Sequence, residues 1–131
     1  MENLQSKLGL LLCDDMIFTS RIVGTGRDLG LTIKPARSAP ALLSGVAEQT
    51  PTCVIVDLSN PGLDVSDLIT RLRETCAPMP FVAAYGSHVD METLQKARAA
   101  GCDAVWPRSK FVQELPWALP KWFGGDKNNT P

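Results

Sequence analysis

The sequence predicts an α/β domain in which five strand–helix units build one parallel sheet with helices on both faces. Three observations carry this. Strand-like and helix-like stretches alternate along the 131 residues with few gaps. The runs Leu8–Cys13 and Cys53–Leu58 are short and mostly apolar, as strands buried on both faces are. Three aspartates, Asp14, Asp15 and Asp57, stand at the C-terminal ends of those two runs. Open α/β sheets bind their ligands at that edge.

The elements follow in order. Leu8–Cys13 reads as the first strand, and Phe18–Leu29 as a helix with Phe18, Ile22 and Val23 apolar and Gly30 as its stop. Leu31–Ala36 is a shorter, more polar strand. Ser38 is an N-cap and Pro40 a first-turn residue for a helix carrying Leu42, Leu43 and Val46 to about Glu48. Cys53–Leu58 is the most β-branched strand, closed by the loop Asn60-Pro61-Gly62. Asp64 or Ser66 caps a third helix through Leu68, Ile69, Leu72 and Cys76. Pro80–Ala84 is the fourth strand, and Val89–Ala100 the fourth helix, ending at Gly101. Cys102–Trp106 is the fifth strand. The last helix, Val112–Trp122, contains Pro116 and Pro120, each lacking an amide donor, so it is expected to start late, kink or break. A domain over 7–123 is expected, with 124–131 as a frayed polar tail and no output domain attached.

A net charge of −1 argues against a nucleic-acid surface. No run is long and apolar enough for a membrane span, and the N-terminus lacks the pattern of a signal peptide. Cys13, Cys53, Cys76 and Cys102 show no metal-binding spacing. Cys13 and Cys53, inside the apolar runs, read as small core residues in a reducing cytoplasm.

The acidic trio carries the chemistry. Two carboxylates ~4 Å apart at an effective dielectric near 20 repel by about 4 kcal/mol. Stability gives no reason for the cluster; a divalent cation does. Helix capping accounts for one aspartate of the Asp14–Asp15 pair and poorly for two. The Gly24, Gly26 and Gly30 spacing lies within and at the end of a helix, not directly after a strand, so it is no dinucleotide fingerprint. His88, alone of its type, reads as a solvated loop residue or a cap of the fourth helix.

With these parts in this order, the chain resembles the receiver domains of two-component response regulators, chemotaxis-type and stand-alone. The residues that carry the likeness are Leu11-Leu12-Cys13-Asp14-Asp15 and Val56-Asp57-Leu58-Ser59-Asn60-Pro61-Gly62. The resemblance implies a flavodoxin-like (βα)5 doubly wound sheet with strand order 2-1-3-4-5, as in chemotaxis receivers. It implies Asp57 as the phosphoacceptor, with Mg²⁺ held by Asp14, Asp15, Asp57 and the backbone carbonyl of Ser59. It also implies a basic residue near the end of the fifth strand that contacts the phosphoryl group. Seven residues on from Gly101 that is Arg108, with Lys110 as competitor. Arginine is not equivalent to the usual lysine there. The switch position, normally Thr or Ser, falls on Tyr85, with Ser87 two residues on.

The acidic pocket is therefore complete in sequence and the switch is not. The leading expectation is a cytoplasmic phosphoacceptor served by a sensor histidine kinase or phosphotransfer protein. It acts on a downstream protein through the face of the fourth helix, fifth strand and fifth helix. Trp106, Trp117 and Trp122 are the candidate partner surface. The alternative is a pseudo-receiver that docks partners without phosphorylation. An aspartyl phosphatase is disfavoured, since Asp57-Leu58-Ser59 has no second carboxylate two residues on.

Overall fold

The computed structural model describes residues 7–124, so the predicted tail, apart from Gly124, lies outside the described residues. The elements are β1 (Leu8–Leu12), α1 (Met16–Asp28), β2 (Thr32–Ala36), α2 (Ala39–Glu48), β3 (Cys53–Asp57), α3 (Val65–Thr75), β4 (Phe81–Gly86), α4 (Met91–Ala100), β5 (Ala104–Pro107) and α5 (Arg108–Phe123). All five strands are parallel, in the order β2-β1-β3-β4-β5. This is the doubly wound α/β sheet of the expected order.

Register decides which side chains meet. Leu11 pairs with Ile55, Ile55 with Ala83, and Ala83 with Ala104. Side chains alternate faces with a period of two. Leu11, Ile55, Ala83 and Ala104 therefore share one face, packed with Phe111, Leu115, Leu119 and Trp122 of α5 and Ile22 of α1. The other face carries Leu10, Val54, Val82 and Val105 against Leu42, Val46, Leu68, Ile69, Leu72 and Leu94. β1, β3 and β4 are buried along their whole length, which is why they read as apolar runs rather than alternating ones.

The helix starts obey capping chemistry. Ser38 Oγ accepts from Ala41 N at 3.3 Å, Asp64 Oδ1 from Asp67 N at 3.0 Å, and Asp90 Oδ1 from Thr93 N at 3.2 Å. Asp64, not Ser66, caps α3, and α4 starts after Asp90 rather than at Val89. Asp15 caps α1, its Oδ1 accepting from Ile17 N at 2.9 Å and Phe18 N at 3.1 Å. Gly101 ends α4 at φ 110°, a conformation that penalises any side chain. Strand β4 runs through Tyr85 to Gly86, two residues past the expected Ala84.

The expectation for the last helix is overturned. α5 begins at Arg108, directly after β5, and runs unbroken to Phe123 with both prolines inside. Pro116 deprives the Val112 carbonyl of its helical donor, and Pro120 deprives that of Pro116. Pro116 and Pro120 are exposed, and Val112 is only half-buried. The orphan carbonyls thus lie along the outer stripe, where water can satisfy them. The inner stripe of Phe111, Leu115, Ala118, Leu119, Trp122 and Phe123 is buried and holds the helix to the sheet. This packing also corrects the partner surface: Trp106 and Trp122 are core residues, 5% and 1% exposed, and only Trp117, at 68%, faces solvent. All four cysteines are free. Burial, then the Asp103 charge, pushes the Cys102 thiol up to about 12 and the Cys53 thiol higher still, which leaves both unreactive.

Pro116→Ala restores a backbone donor without removing buried surface, so it should stabilise the fold by about 1–2 kcal/mol after allowance for the freer unfolded chain. Urea unfolding measures this; a destabilised variant would contradict the helix geometry described. In metal-free buffer Asp15→Ala should cost about 1 kcal/mol through the lost cap. Asp14→Ala, which loses only an exposed ion pair to Arg37, should cost roughly 0–0.5 kcal/mol.

Candidate functional site

The register that sorts the core also builds the site. Leu12 pairs with Val56, Asp57 with Tyr85, and Tyr85 with Trp106. The top row on the face covered by α1 and α5 therefore reads Cys13, Asp57, Tyr85, Trp106. It contains the most buried carboxylate of the edge, Asp57, which is 5% exposed.

Asp57 is held at both oxygens. Its Oδ1 accepts from the Ser59 amide at 2.8 Å. Its Oδ2 accepts from the Cys13 thiol at 3.6 Å. The Tyr85 hydroxyl in turn donates to Cys13 Sγ at 3.3 Å. The single thiol proton is shared with a second acceptor, the Asp15 carbonyl at 3.5 Å. Tyr85 points inward and is fully buried. Its ring lies between Phe18 of α1, 5.3 Å away, and Phe111 of α5, 4.5 Å away. Burial first, then the Cys13 hydrogen bond and the Asp57 charge, raises the Tyr85 phenol well above its usual range, so it stays a donor.

The two candidate cations separate. Arg108 lies over the Phe18 ring at 5.5 Å and its Nη2 donates to Ser59 Oγ at 3.3 Å, which brings it to the loop that follows Asp57. Lys110 instead sits over Trp106 at 4.8 Å. The two switch candidates separate as well. Ser87 Oγ accepts from Val89 N at 3.3 Å within its own turn. Ser87 and Arg108 do share a shallow surface depression with His88, Ser109 and Val112.

The remaining carboxylates are engaged elsewhere. Asp15 caps α1, and Asp14 faces Arg37, whose Nε is 3.5 Å from its Oδ1. The Arg37 carbonyl accepts from Asn60 Nδ2 at 3.1 Å, and Asn60 is itself buried. Among the described residues, no three His, Cys, Asp or Glu side chains converge on a common metal position. The oxygens of Asp14, Asp15 and Asp57 remain the donor type a hard divalent cation takes. Three participants had no signal of their own in sequence. Cys13 read as a core residue, Phe18 as a helix residue, and Arg37 as loop. Only the position of Cys13, directly before Asp14, hinted at its place.

No protein-family model matches the chain. The transcriptional activator protein ExaE of Pseudomonas putida is 30% identical over 98 residues, covering 72% of this chain. The chain spans only 45% of the length of that curated relative. Among solved structures, the response regulator receiver domain protein (CheY-like) of Methanospirillum hungatei superposes with a TM-score of 0.77 at 14% identity, over 95% of this chain and 98% of that one. A response regulator from Thermotoga maritima gives 0.75 at 17% identity, over 90% and 98%. The NtrX receiver domain from Brucella abortus gives 0.76 at 18%, over 90% and 98%, while the chain spans 27% of a longer NtrX structure. The chain therefore has the fold of the CheY-like response regulator receiver domains.

Proposed function

We propose that the chain is a phosphoacceptor module of two-component signalling that takes a phosphoryl group on Asp57 and acts through a protein partner. The observation that supports this best is that Arg108, resting on Phe18, donates to the hydroxyl of Ser59, the residue whose amide holds Asp57 at the end of the central strand. In the transfer an Asp57 oxygen attacks phosphorus, and the bond to the donor's leaving group breaks as the new O–P bond forms. Arg108 offsets the phosphoryl charge and can contact it bidentately. Asp14, Asp15, Asp57 and the Ser59 carbonyl are the groups that would hold Mg²⁺, with Asp14 released from Arg37. Bound there, the ion would offset both carboxylate repulsion and phosphoryl charge.

The phosphoryl donor in this reading is a sensor histidine kinase or phosphotransfer protein in the cytoplasm. The output is a protein docked on the face of α4, β5 and α5, to which Trp117 alone of the three tryptophans contributes exposed surface. No nucleic-acid contact is part of the proposal. Among the described residues no helix is long and apolar enough to cross a membrane. A second reading, docking without phosphorylation, draws support from Tyr85, which stands where a small hydroxyl residue is usual and fills its place completely.

Tryptophan fluorescence distinguishes the two, because Trp106 pairs with Tyr85 in the row that contains Asp57. Under the phosphoacceptor reading, wild type responds saturably to Mg²⁺ and then to beryllium fluoride, and Asp57→Asn does not respond to the fluoride. Silence to both, with unchanged NMR spectra, leaves the docking module. Tyr85→Thr should also speed labelling by a small-molecule phosphodonor, as the smaller residue relieves crowding beside Asp57. Unchanged labelling of that variant would refute the crowding.

A further inference from the structure

We propose that Cys13 and Tyr85 are positioning residues that shorten the lifetime of the acyl phosphate on Asp57. This rests on the phosphoacceptor reading above. The geometry is a two-link donor chain: Tyr85 OH to Cys13 Sγ at 3.3 Å, and the Cys13 thiol to Asp57 Oδ2 at 3.6 Å. Every member is at least nine-tenths buried, and the Tyr85 ring is fixed between Phe18 and Phe111. The chain therefore persists without competition from water.

The chemistry follows from what each state of Asp57 offers as an acceptor. The free side chain is a carboxylate, and Oδ2 carries part of its negative charge. In the acyl phosphate, with the O–P bond on the other oxygen, Oδ2 is a neutral carbonyl oxygen. Hydrogen bonds to ionised acceptors are roughly twice as strong as neutral ones. The donors thus favour the free carboxylate. In hydrolysis water attacks phosphorus, the O–P bond breaks, and its electron pair returns to the carboxylate, leaving inorganic phosphate. Negative charge grows on Oδ2 as this happens, and the Cys13 thiol, polarised by Tyr85, is aimed at it. A donor chain of this kind accelerates loss of the phosphoryl group and opposes its accumulation. Ser59 N acts separately on Oδ1.

The test phosphorylates the full chain with acetyl phosphate and Mg²⁺, removes the donor, and follows decay of the phosphorylated mass. Tyr85→Phe keeps the ring in its stack and removes only the hydroxyl. It should lengthen the lifetime about three- to ten-fold, the range a single hydrogen bond spans. Cys13→Ala should match it, and the double variant should add nothing further, because the two act as one chain. Cys13→Ser retains a donor and should keep the lifetime at or below that of wild type, a rescue that a role in packing alone would not give. Lifetimes of Tyr85→Phe and Cys13→Ala within two-fold of wild type overturn the proposal and leave the phosphoacceptor reading standing. A wild type that takes no label, under conditions that label a known receiver domain, overturns both.

Discussion

The parallel register of β1, β3 and β4 is the constraint on which the rest of this structure depends. It brings Cys13, Asp57 and Tyr85 level on one face of the sheet. Side chains in a strand alternate strictly, so a slip of one residue in β3 would carry Asp57 to the face covered by α2, α3 and α4. Ile55 and Cys53 would move with it, out of the core shared with α1 and α5. Packing of the apolar residues below therefore enforces the position of the polar one above. The site is expensive to misplace because the core is.

Tyr85 extends that order from the sheet to the helices. Its ring contacts Phe18 on one side and Phe111 on the other, and aromatic pairs of this kind contribute about 0.5–1.5 kcal/mol each beyond their buried area. Phe111 continues to Trp122, and Trp122 to Trp106 and Phe81. One aromatic array thus runs from the carboxyl edge along the inner side of α5. It explains why α5 stays whole across two prolines: the missing hydrogen bonds face water, and the apolar stripe faces the array. It also joins the neighbourhood of Asp57 to α1 and α5 through rigid rings.

Charge at the edge is managed by three different means. Asp15 is neutralised in part by the amides at the start of α1, which carry the positive end of the helix dipole. Asp14 faces a surface guanidinium, Arg37, in an exposed pair of small energetic weight. Asp57 is buried and depends on the Ser59 amide and the Cys13 thiol. Arg108, which reaches the loop after Asp57, rests on an aromatic face and a serine hydroxyl. Of these contacts the exposed pair with Arg37 is the weakest, and so the easiest for a cation to displace.

The sequence by itself determined the five strand–helix units, the buried character of β1 and β3, the cap at Ser38, the stop at Gly101, and the place of Asp14, Asp15 and Asp57 at the C-terminal ends of apolar runs. These are local or periodic properties: an apolar run of strand length, a capping residue, a glycine after a helix. The strand order was legible only through resemblance, since no single run records which strand lies beside it. Tertiary structure alone decided what turns on distant contacts. It kept α5 intact, because the burial of Leu115 and Leu119 outweighs two lost hydrogen bonds on the wet side. It sent Trp106 and Trp122 inward and left Trp117 outside. It turned Tyr85 inward and linked it to Cys13, 72 residues away in the chain. Such a bond depends on register across three strands, and a propensity read along one segment carries no record of the segment two strands over.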